Sequence, residues 1–398
     1  MLSNFSTPHR RAIVGAALML TCAVLVSTVW AAGAGARTQA WARKRWATTT
    51  TTPTTAPPGR QPVPQTTAPV AQQPTPPSTT PPPASTPTTT TAPPQLPGSP
   101  VSADVVWRPF AADSAWNTPI GANAVRDPNS AAMVAALTSV PNKVNAALYE
   151  FGAPVYEADA STPRVKVTCT MTWGDCMLAH QLVPIPDAAV AATGSDGHLV
   201  VIDRAGGMSY ELWQARKSTG GWVASWGAVM PLDGDGRSNP VSNNAVGAGI
   251  SRLAGLVRVS EIRNGYIPHA LVFASANTCR NVFRYPATKT DGNSSASNCI
   301  PEGARIQLDP SIDVDAIANI TPAEKAIAKA LQTYGAYVSD TAGTNMAFPF
   351  EVPTAEDGPN PYPTAGLRGD YDTMAHIPWA RINVLSWDAT APVRTPSG

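Results

Sequence analysis

The stretch His198-Leu-Val-Val-Ile-Asp-Arg-Ala-Gly-Gly-Met-Ser-Tyr-Glu-Leu-Trp213 decides the fold class, because a short glycine-containing turn joins two apolar runs in it. This pattern predicts a β-hairpin. Side chains alternate along a strand, so Tyr210 and its neighbours two residues away face one side, and Glu211 and Trp213 face the other. We expect the first face to lie on a core and the second to present a carboxylate beside an indole.

The rest of residues 101–398 has the same character, with short apolar runs separated by turns rich in glycine and proline. Helices are predicted only at 127–140 and 322–334, where apolar residues follow a helical spacing. Asn264-Gly265 is typical of a tight hairpin turn, so strands are predicted on both sides of it. Many strands and few helices indicate a mostly β domain, an antiparallel β-sandwich or a jelly-roll-like fold.

Three segments precede this domain. After an N-terminal tail of residues 1–11, residues 12–36 are uncharged and long enough to cross a bilayer, which takes about 20 residues. A signal anchor is predicted there, with a cleaved signal peptide as the alternative because the segment ends in Ala-Gly-Ala. Residues 47–100 are almost entirely Thr, Pro, Ala, Gln and Ser and predict a disordered linker. The domain would then lie outside the cell membrane, or be secreted after cleavage of the leader.

Composition excludes some partners and predicts disulfides. The net charge of +1 gives no reason to expect a nucleic-acid partner. Four cysteines in an exported domain predict two disulfides, and sequence proximity favours Cys169–Cys176 and Cys279–Cys299 among three possible pairings. Their spacing is not that of zinc ligands.

No cofactor is expected, and calcium is the one alternative. The loop 233–239, Asp-Gly-Asp-Gly-Arg-Ser-Asn, begins like a calcium-binding loop, but Arg237 stands where an oxygen ligand is needed. A solvated turn is therefore the first interpretation of this loop.

Carboxylates of the hairpins are the first candidates for catalysis. Glycoside hydrolysis uses two carboxyl groups, about 5–5.5 Å apart in retaining and about 6.5–9.5 Å apart in inverting enzymes. Glu211 is assigned as one of them, and Glu261 or Asp203 as its partner. The alternative is that Glu211 is an ordinary solvent-facing residue of a sheet.

His269 is the second candidate, because it interrupts an otherwise apolar run. It is interpreted either as a core residue with hydrogen-bond partners or as a general base, which would serve β-elimination together with Tyr266 or Tyr210. A plain two-residue turn would place Glu261 and His269 on opposite faces. A bulge near Pro268 would bring them together, and the sequence leaves both arrangements open.

Aromatic and amide side chains are candidates for substrate binding. These candidates are Trp213, Tyr210, Tyr266, Trp116 and Asn117.

The Asp-Gly turns of the later part of the chain resemble, in architecture only, secreted bacterial jelly-roll domains that handle polysaccharides. With the membrane segment, the linker and the candidate residues, the hypothesis is a membrane-tethered, extracytoplasmic carbohydrate-active protein that cleaves an envelope or environmental glycan, by hydrolysis or by elimination. The alternatives are a non-catalytic domain that binds a glycan or the cell wall from a stalk, and a structural surface protein.

Overall fold

A computed structural model describes residues 107–140 and 143–386. The predicted tail, membrane segment and linker lie outside these residues, so their assignments stay predictions. Within the described ranges, no helix combines the length and the apolar character that a bilayer-crossing helix requires.

The described chain is mostly β, as predicted, and contains few helices. The strands are β1 Val144–Ala147, β2 Val155–Ala158, β3 Arg164–Cys169, β4 Leu182–Pro184, β5 Leu199–Asp203, β6 Met208–Trp213, β7 Arg216–Ser218, β8 Gly221–Ala224, β9 Trp226–Pro231, β10 Leu271–Ser275, β11 Thr278–Phe283, β12 Ile300–Glu302, β13 Arg305–Leu308, β14 Ala336–Thr341, β15 Met346–Pro349 and β16 Ile382–Val384. The α-helices are α1 Ser130–Leu137, α2 Val259–Asn264 and α3 Pro322–Thr333. Short 3-10 helices are Met177–His180, Val314–Ala316, Ala355–Asp357 and Trp379–Arg381.

The strands form four sheets. A six-stranded sheet has the order β1-β15-β10-β14-β13-β16, and two four-stranded sheets have the orders β2-β5-β6-β9 and β4-β3-β8-β7. Strands β11 and β12 pair separately. The pairs β1/β15, β10/β14, β2/β5 and β3/β8 are parallel, so the sheets are mixed and the prediction of purely antiparallel pairing is wrong. The stretches that enter these parallel pairs are joined by long excursions of the chain, which local turn patterns do not reveal.

Strands β5 and β6 form the predicted antiparallel hairpin, with Val201 opposite Tyr210. Tyr210 and Leu212 face a buried group of apolar side chains that we call the two-sheet cluster. Besides these two residues, its members from the strands of the two four-stranded sheets include Leu199, Val201, Val167, Trp222 and Ala224. The core face of the hairpin is therefore where the alternation placed it, and a second sheet covers it.

The six-stranded sheet packs against the helices on a separate core. Met133 and Leu137 of α1 and Leu331 of α3 are buried together with Phe273 and Phe348 of the sheet. Helix α3 begins as predicted, since Thr321 accepts a hydrogen bond from Glu324 N (3.3 Å) and the Glu324 carboxylate accepts one from Thr321 N (2.9 Å).

The segment before Asn264-Gly265 is a helix, so the predicted hairpin at this turn is wrong. Gly265 adopts φ 66°, in the left-handed region that ends many helices. Its N–H donates to Ile262 O (3.3 Å), and Tyr266 N–H donates to Glu261 O (3.1 Å), which is the Schellman arrangement. Asn-Gly therefore ends a helix here, because the glycine conformation that a tight hairpin needs also serves a helix end.

Both predicted disulfides are present. Cys169 is bonded to Cys176, and Cys279 is bonded to Cys299. Each closes a local loop, of sequence separation 7 and 20 respectively. The first loop carries Trp173 and the second carries Asp291.

Candidate functional site

Glu211 lies under a covering segment and not in an open groove. Its side chain is 0% exposed. The carboxylate accepts hydrogen bonds from Arg252 N (2.7 Å), from the Ser209 hydroxyl (3.2 Å) and from the Ser251 hydroxyl. Burial, which outweighs these hydrogen bonds, raises the pKa of Glu211. The face predicted to be solvent-exposed is instead the contact between the hairpin and residues 250–253.

The partner expected for Glu211 within the hairpin is on the other side of the sheet. Asp203 pairs with Met208, and directly paired residues share a face. Met208 and Glu211 are three residues apart and so point to opposite faces. Asp203 is instead held by the Arg164 guanidinium (2.9 Å) and by Gly206 N (2.7 Å) at the turn. The register thus separates Asp203 from Glu211, so they do not flank one bond.

Glu261 and His269 are brought together, though by a helix and not by a strand bulge. Glu261 lies in α2, and its Oε1 is 2.8 Å from His269 Nε2. The other ring nitrogen, Nδ1, is 2.9 Å from Ala270 O. Both neighbours offer acceptor oxygens, so the protonated ring can donate from both nitrogens at once, and this geometry favours the imidazolium. In this state His269 has no free lone pair with which to take a proton from a substrate.

The charges around this pair balance one another. Glu261 Oε2 accepts a hydrogen bond from Arg258 N (2.8 Å). The Arg258 guanidinium forms two hydrogen bonds to Glu351, at 2.9 and 3.2 Å. Two cations and two carboxylates therefore meet in one buried network, which is the arrangement that makes buried charge tolerable.

This network makes stability depend on pH. Burial alone would lower the pKa of His269, but the charge and hydrogen bond of Glu261 outweigh it and the pKa is raised. A raised histidine pKa stabilises the folded state below the unfolded pKa of about 6.5 and loses this effect as pH rises through the folded pKa. We expect the difference in unfolding free energy between the wild type and His269→Gln to shrink above pH 6.5, by up to about 1.4 kcal/mol per pH unit. Urea unfolding from pH 5 to 9 measures it, and a difference that is constant or grows with pH would contradict the ion pair.

The recess beside this network is small. Its lining includes Trp116, Asn117, Arg258, Glu261 and His269. It offers ≈ 10 Å³ to the centre of a water molecule, about what a single water needs. Four of the residues predicted from the sequence therefore meet in one place, but the space between them does not admit a sugar ring in this state.

The predicted aromatic and amide residues divide into buried and accessible ones. Tyr210 and Trp116 are core residues, and the Asn117 amide donates to three backbone carbonyl oxygens, Pro109 O, Phe110 O and Ala111 O. Tyr266 is 44% exposed and Trp213 is half-buried. Tyr266 and Trp213 are thus the accessible members of this set.

Trp213 belongs to an aromatic surface that the sequence analysis missed. Trp173, which is 62% exposed, stacks on Trp213 with ring centroids 5.8 Å apart and an interplanar angle of 30°. The Trp173 ring also lies 5.9 Å from the ring of Trp226. We call Trp173, Trp213 and Trp226 the tryptophan platform, of which Trp226 is the buried member. The available signal was a tryptophan inside a predicted short disulfide loop, where a large side chain has little core to enter.

The loop that carries Trp173 is braced at its base. The Cys169–Cys176 disulfide closes it. Thr170 N donates to Ala224 O (3.0 Å) and Met171 N donates to Ser225 O (3.1 Å), which extends the pairing of β3 with β8. A loop held in this way presents its aromatic ring without a large ordering cost on binding.

Polar groups lie beside Trp213 and near Trp173 in the chain. The Trp213 indole N–H donates to Asp196 Oδ1 (3.4 Å), and the Gln214 carbonyl oxygen accepts from the Ser225 hydroxyl (2.6 Å). Asp175, two residues from Trp173, is exposed and contacts His180. The surface thus combines an exposed indole face with carboxylate, amide and hydroxyl groups.

The loop 233–239 is a turn whose residues are mostly half-buried or buried, so it is less solvated than expected. Asp235 Oδ1 accepts a hydrogen bond from Arg237 N (3.0 Å), and the Asp235 carboxylate lies 3.6 Å from the Arg237 guanidinium. The arginine thus supplies the positive charge within the loop.

Comparison of the chain with protein-family models, with curated proteins and with solved structures gives no match.

Proposed function

We propose that the domain binds a glycan on the tryptophan platform. The observation that carries the proposal is the stacking of an exposed Trp173 on Trp213 at the edge of the two-sheet cluster. A pyranose ring has one face of C–H groups, which carry a slight positive charge and are attracted to the negative face of an indole. The hydroxyl groups at the rim of the sugar need hydrogen-bond partners, which Asp196 and Gln214 are placed to offer.

The exposure of the Trp173 indole forgoes the free energy that burying it would provide, which suggests a role in binding. A tryptophan buries a large apolar area when it packs, and Trp173 leaves most of that area in water. Exposed aromatic surfaces with polar neighbours often mark binding sites. A rigid ring also loses little entropy on binding, since it has only two side-chain torsions.

The location of the domain is part of the same proposal. Residues 12–36 would anchor the chain in the membrane, and residues 47–100 would form a stalk that carries the domain to an envelope or environmental glycan. Two disulfides are typical of an oxidising compartment and support this placement. The two four-stranded sheets would be the predicted sandwich, with the two-sheet cluster between them.

Glycan cleavage is the second candidate, and the contact between Glu261 and His269 favours it. Tyr266 lies three residues before His269 and is accessible. For catalysis the ion pair would have to open so that one of its groups could reach a substrate. A structural surface protein, the third alternative, would neither bind nor cleave a glycan.

Replacing Trp173 with alanine is expected to weaken glycan binding at least ten-fold, which corresponds to about 1.4 kcal/mol. Binding of the purified chain to insoluble peptidoglycan, chitin, cellulose and xylan identifies the glycan, and calorimetry with its soluble fragments measures affinity. Tyr266→Ala is the matched control, because it removes another exposed aromatic ring and should leave binding unchanged.

Two outcomes oppose the platform. If Tyr266→Ala abolishes binding and Trp173→Ala does not, the glycan site lies beside Glu261 and His269. If none of these polysaccharides is bound, the glycan proposal fails. Release of reducing ends or of unsaturated products in the same samples would establish the cleavage alternative.

A further inference from the structure

Three carboxyl groups converge at a place that the glycan proposal does not use. Asp291 lies in the loop closed by Cys279–Cys299, Glu302 ends β12, and Asp340 lies near the end of β14. One oxygen from each lies within 4.8 Å of the other two. A disulfide loop, the end of β12 and the end of β14 therefore bring three acidic groups to one point.

Glu302 is the unusual member of the three. Its side chain is 0% exposed, and neither carboxylate oxygen accepts a hydrogen bond. Buried polar groups almost always have partners, since an unpaired buried carboxylate loses its hydration without compensation. The Thr290 hydroxyl and the Asp291 carboxyl are its polar neighbours, but neither is placed well enough to form a hydrogen bond with Glu302.

Cations lie near the three carboxyl groups without pairing with them, since Arg252 acts on Asp340 only through its electrostatic field. No lysine, arginine or histidine of the described residues forms an ion pair with any of them. The nearby Lys289 ammonium donates instead to Gly247 O (2.8 Å). Like charges this close need a shared proton or a bound cation.

The backbone at Gly247 is fitted to the same carboxylates. A Cβ at this position would lie 2.5 Å from Asp340 Oδ1 and 2.7 Å from Asp291 Oδ1. Gly247 N also donates to Asp340 Oδ2 (3.1 Å), and the Thr341 hydroxyl donates to Asp291 Oδ2 (3.1 Å). Glycine permits this close approach, and these donors hold the Asp340 and Asp291 carboxylates in place.

We propose that Asp291, Glu302 and Asp340 bind one calcium ion. Carboxylate oxygens are the ligands of hard cations, and Ca²⁺ takes six to eight oxygens at about 2.3–2.6 Å. Two ligands on opposite sides of such an ion are about 4.8 Å apart, so three oxygens within that distance can share it. Waters complete the shell on the exposed side of Asp291. This site is different from the loop 233–239.

The proposal is tested by calorimetry. The full chain is first freed of metal with EDTA and then titrated with CaCl₂. We expect one Ca²⁺ per chain and a rise in melting temperature when Ca²⁺ is added. Glu302→Gln keeps the shape of the side chain and removes its charge, so affinity should fall at least ten-fold and the rise in melting temperature should disappear. Asp235→Asn, in the loop 233–239, is the matched control and should bind Ca²⁺ as the wild type does.

The proposal is overturned by three results. One is that neither binding heat nor a rise in melting temperature is seen up to about 10 mM CaCl₂, which is ten times the highest dissociation constant typical of extracellular calcium modules. A proton shared among the carboxyl groups would then explain the cluster. Another is binding that Asp235→Asn removes and Glu302→Gln preserves. The third is equal binding of MgCl₂ and CaCl₂, since Mg²⁺ needs ligands at about 2.0–2.1 Å and a stricter octahedron. If circular dichroism shows Glu302→Gln to be unfolded, Asp291→Asn replaces it, because its side chain is exposed.

Discussion

Replacing His269 with alanine is expected to lower the free energy of unfolding by about 3–5 kcal/mol, the cost of removing one partner of a buried ion pair. Glu261 is 2% exposed and would lose the imidazole nitrogen that lies 2.8 Å from its carboxyl group. The Arg258 N–H would still donate to it, but the Arg258 guanidinium is committed to Glu351. The loss of stability therefore comes mainly from the buried Glu261 carboxyl group that is left without the His269 ring, and only secondarily from the space that the ring vacates.

His180→Ala is the control for this measurement. His180 also contacts a carboxylate, that of Asp175, but both side chains are more than half exposed. Exposed pairs contribute little, so we expect a change below about 1 kcal/mol. Urea or thermal unfolding of both variants at pH 6 measures the contrast. Equal effects of the two substitutions would show that the Glu261–His269 contact is not a buried ion pair.

Replacing Glu211 with alanine is expected to destabilise the protein by about 3 kcal/mol. The Arg252 N–H would lose its acceptor at a buried position, which costs about 1–3 kcal/mol. The space left by the side chain adds a cavity cost. Glu211→Gln, in contrast, keeps an oxygen for Arg252 N and a donor for the serine hydroxyls, so we expect it to be within about 1 kcal/mol of the wild type.

The pair of Glu211 variants separates structure from catalysis. Burial raises the pKa of Glu211, so replacing its carboxylate with a neutral amide removes little stabilisation from the folded state. Unfolding curves show whether alanine and glutamine differ as expected, and equal destabilisation by both would contradict the hydrogen-bond argument. If the folded Glu211→Gln variant loses glycan cleavage that the wild type performs, Glu211 has a catalytic role and the binding proposal is incomplete.

The placement of the acids explains why binding is proposed ahead of cleavage. Asp203 is tied to Arg164, Glu211 to the backbone and hydroxyls of the segment that covers it, and Glu261 to His269. Carboxylates with these partners have a structural role, because each contact gives a hydrogen-bond partner to a polar group that folding removes from water. The accessible chemistry of the described residues is instead aromatic, at Trp173 and Trp213.

Part of the candidate site was open to prediction from the sequence. Trp213 was assigned to ligand contact because it follows an alternating strand, and it does lie at the surface. The approach of Glu261 to His269 was one of two alternatives, but the helix that produces it was not foreseen. Trp173 and Glu302 were missed, because neither stands in a motif. Their properties come from a disulfide loop and from a strand end, where exposure or burial depends on distant segments.

The amino-acid sequence by itself determined the elements that local physics controls. The alternation of apolar residues predicted the hairpin of β5 and β6, and the capping box predicted the start of α3. The proximity of the cysteines in sequence predicted both disulfides. Only the tertiary structure decided the rest: which faces were covered, which strands paired in parallel, and which carboxyl groups met. The reason is that a side chain's exposure and charge environment are set by residues 40 to 100 positions away, as for Glu211 beneath Arg252 and Arg258 beside Glu351. Local sequence patterns do not reveal which distant residues become those neighbours.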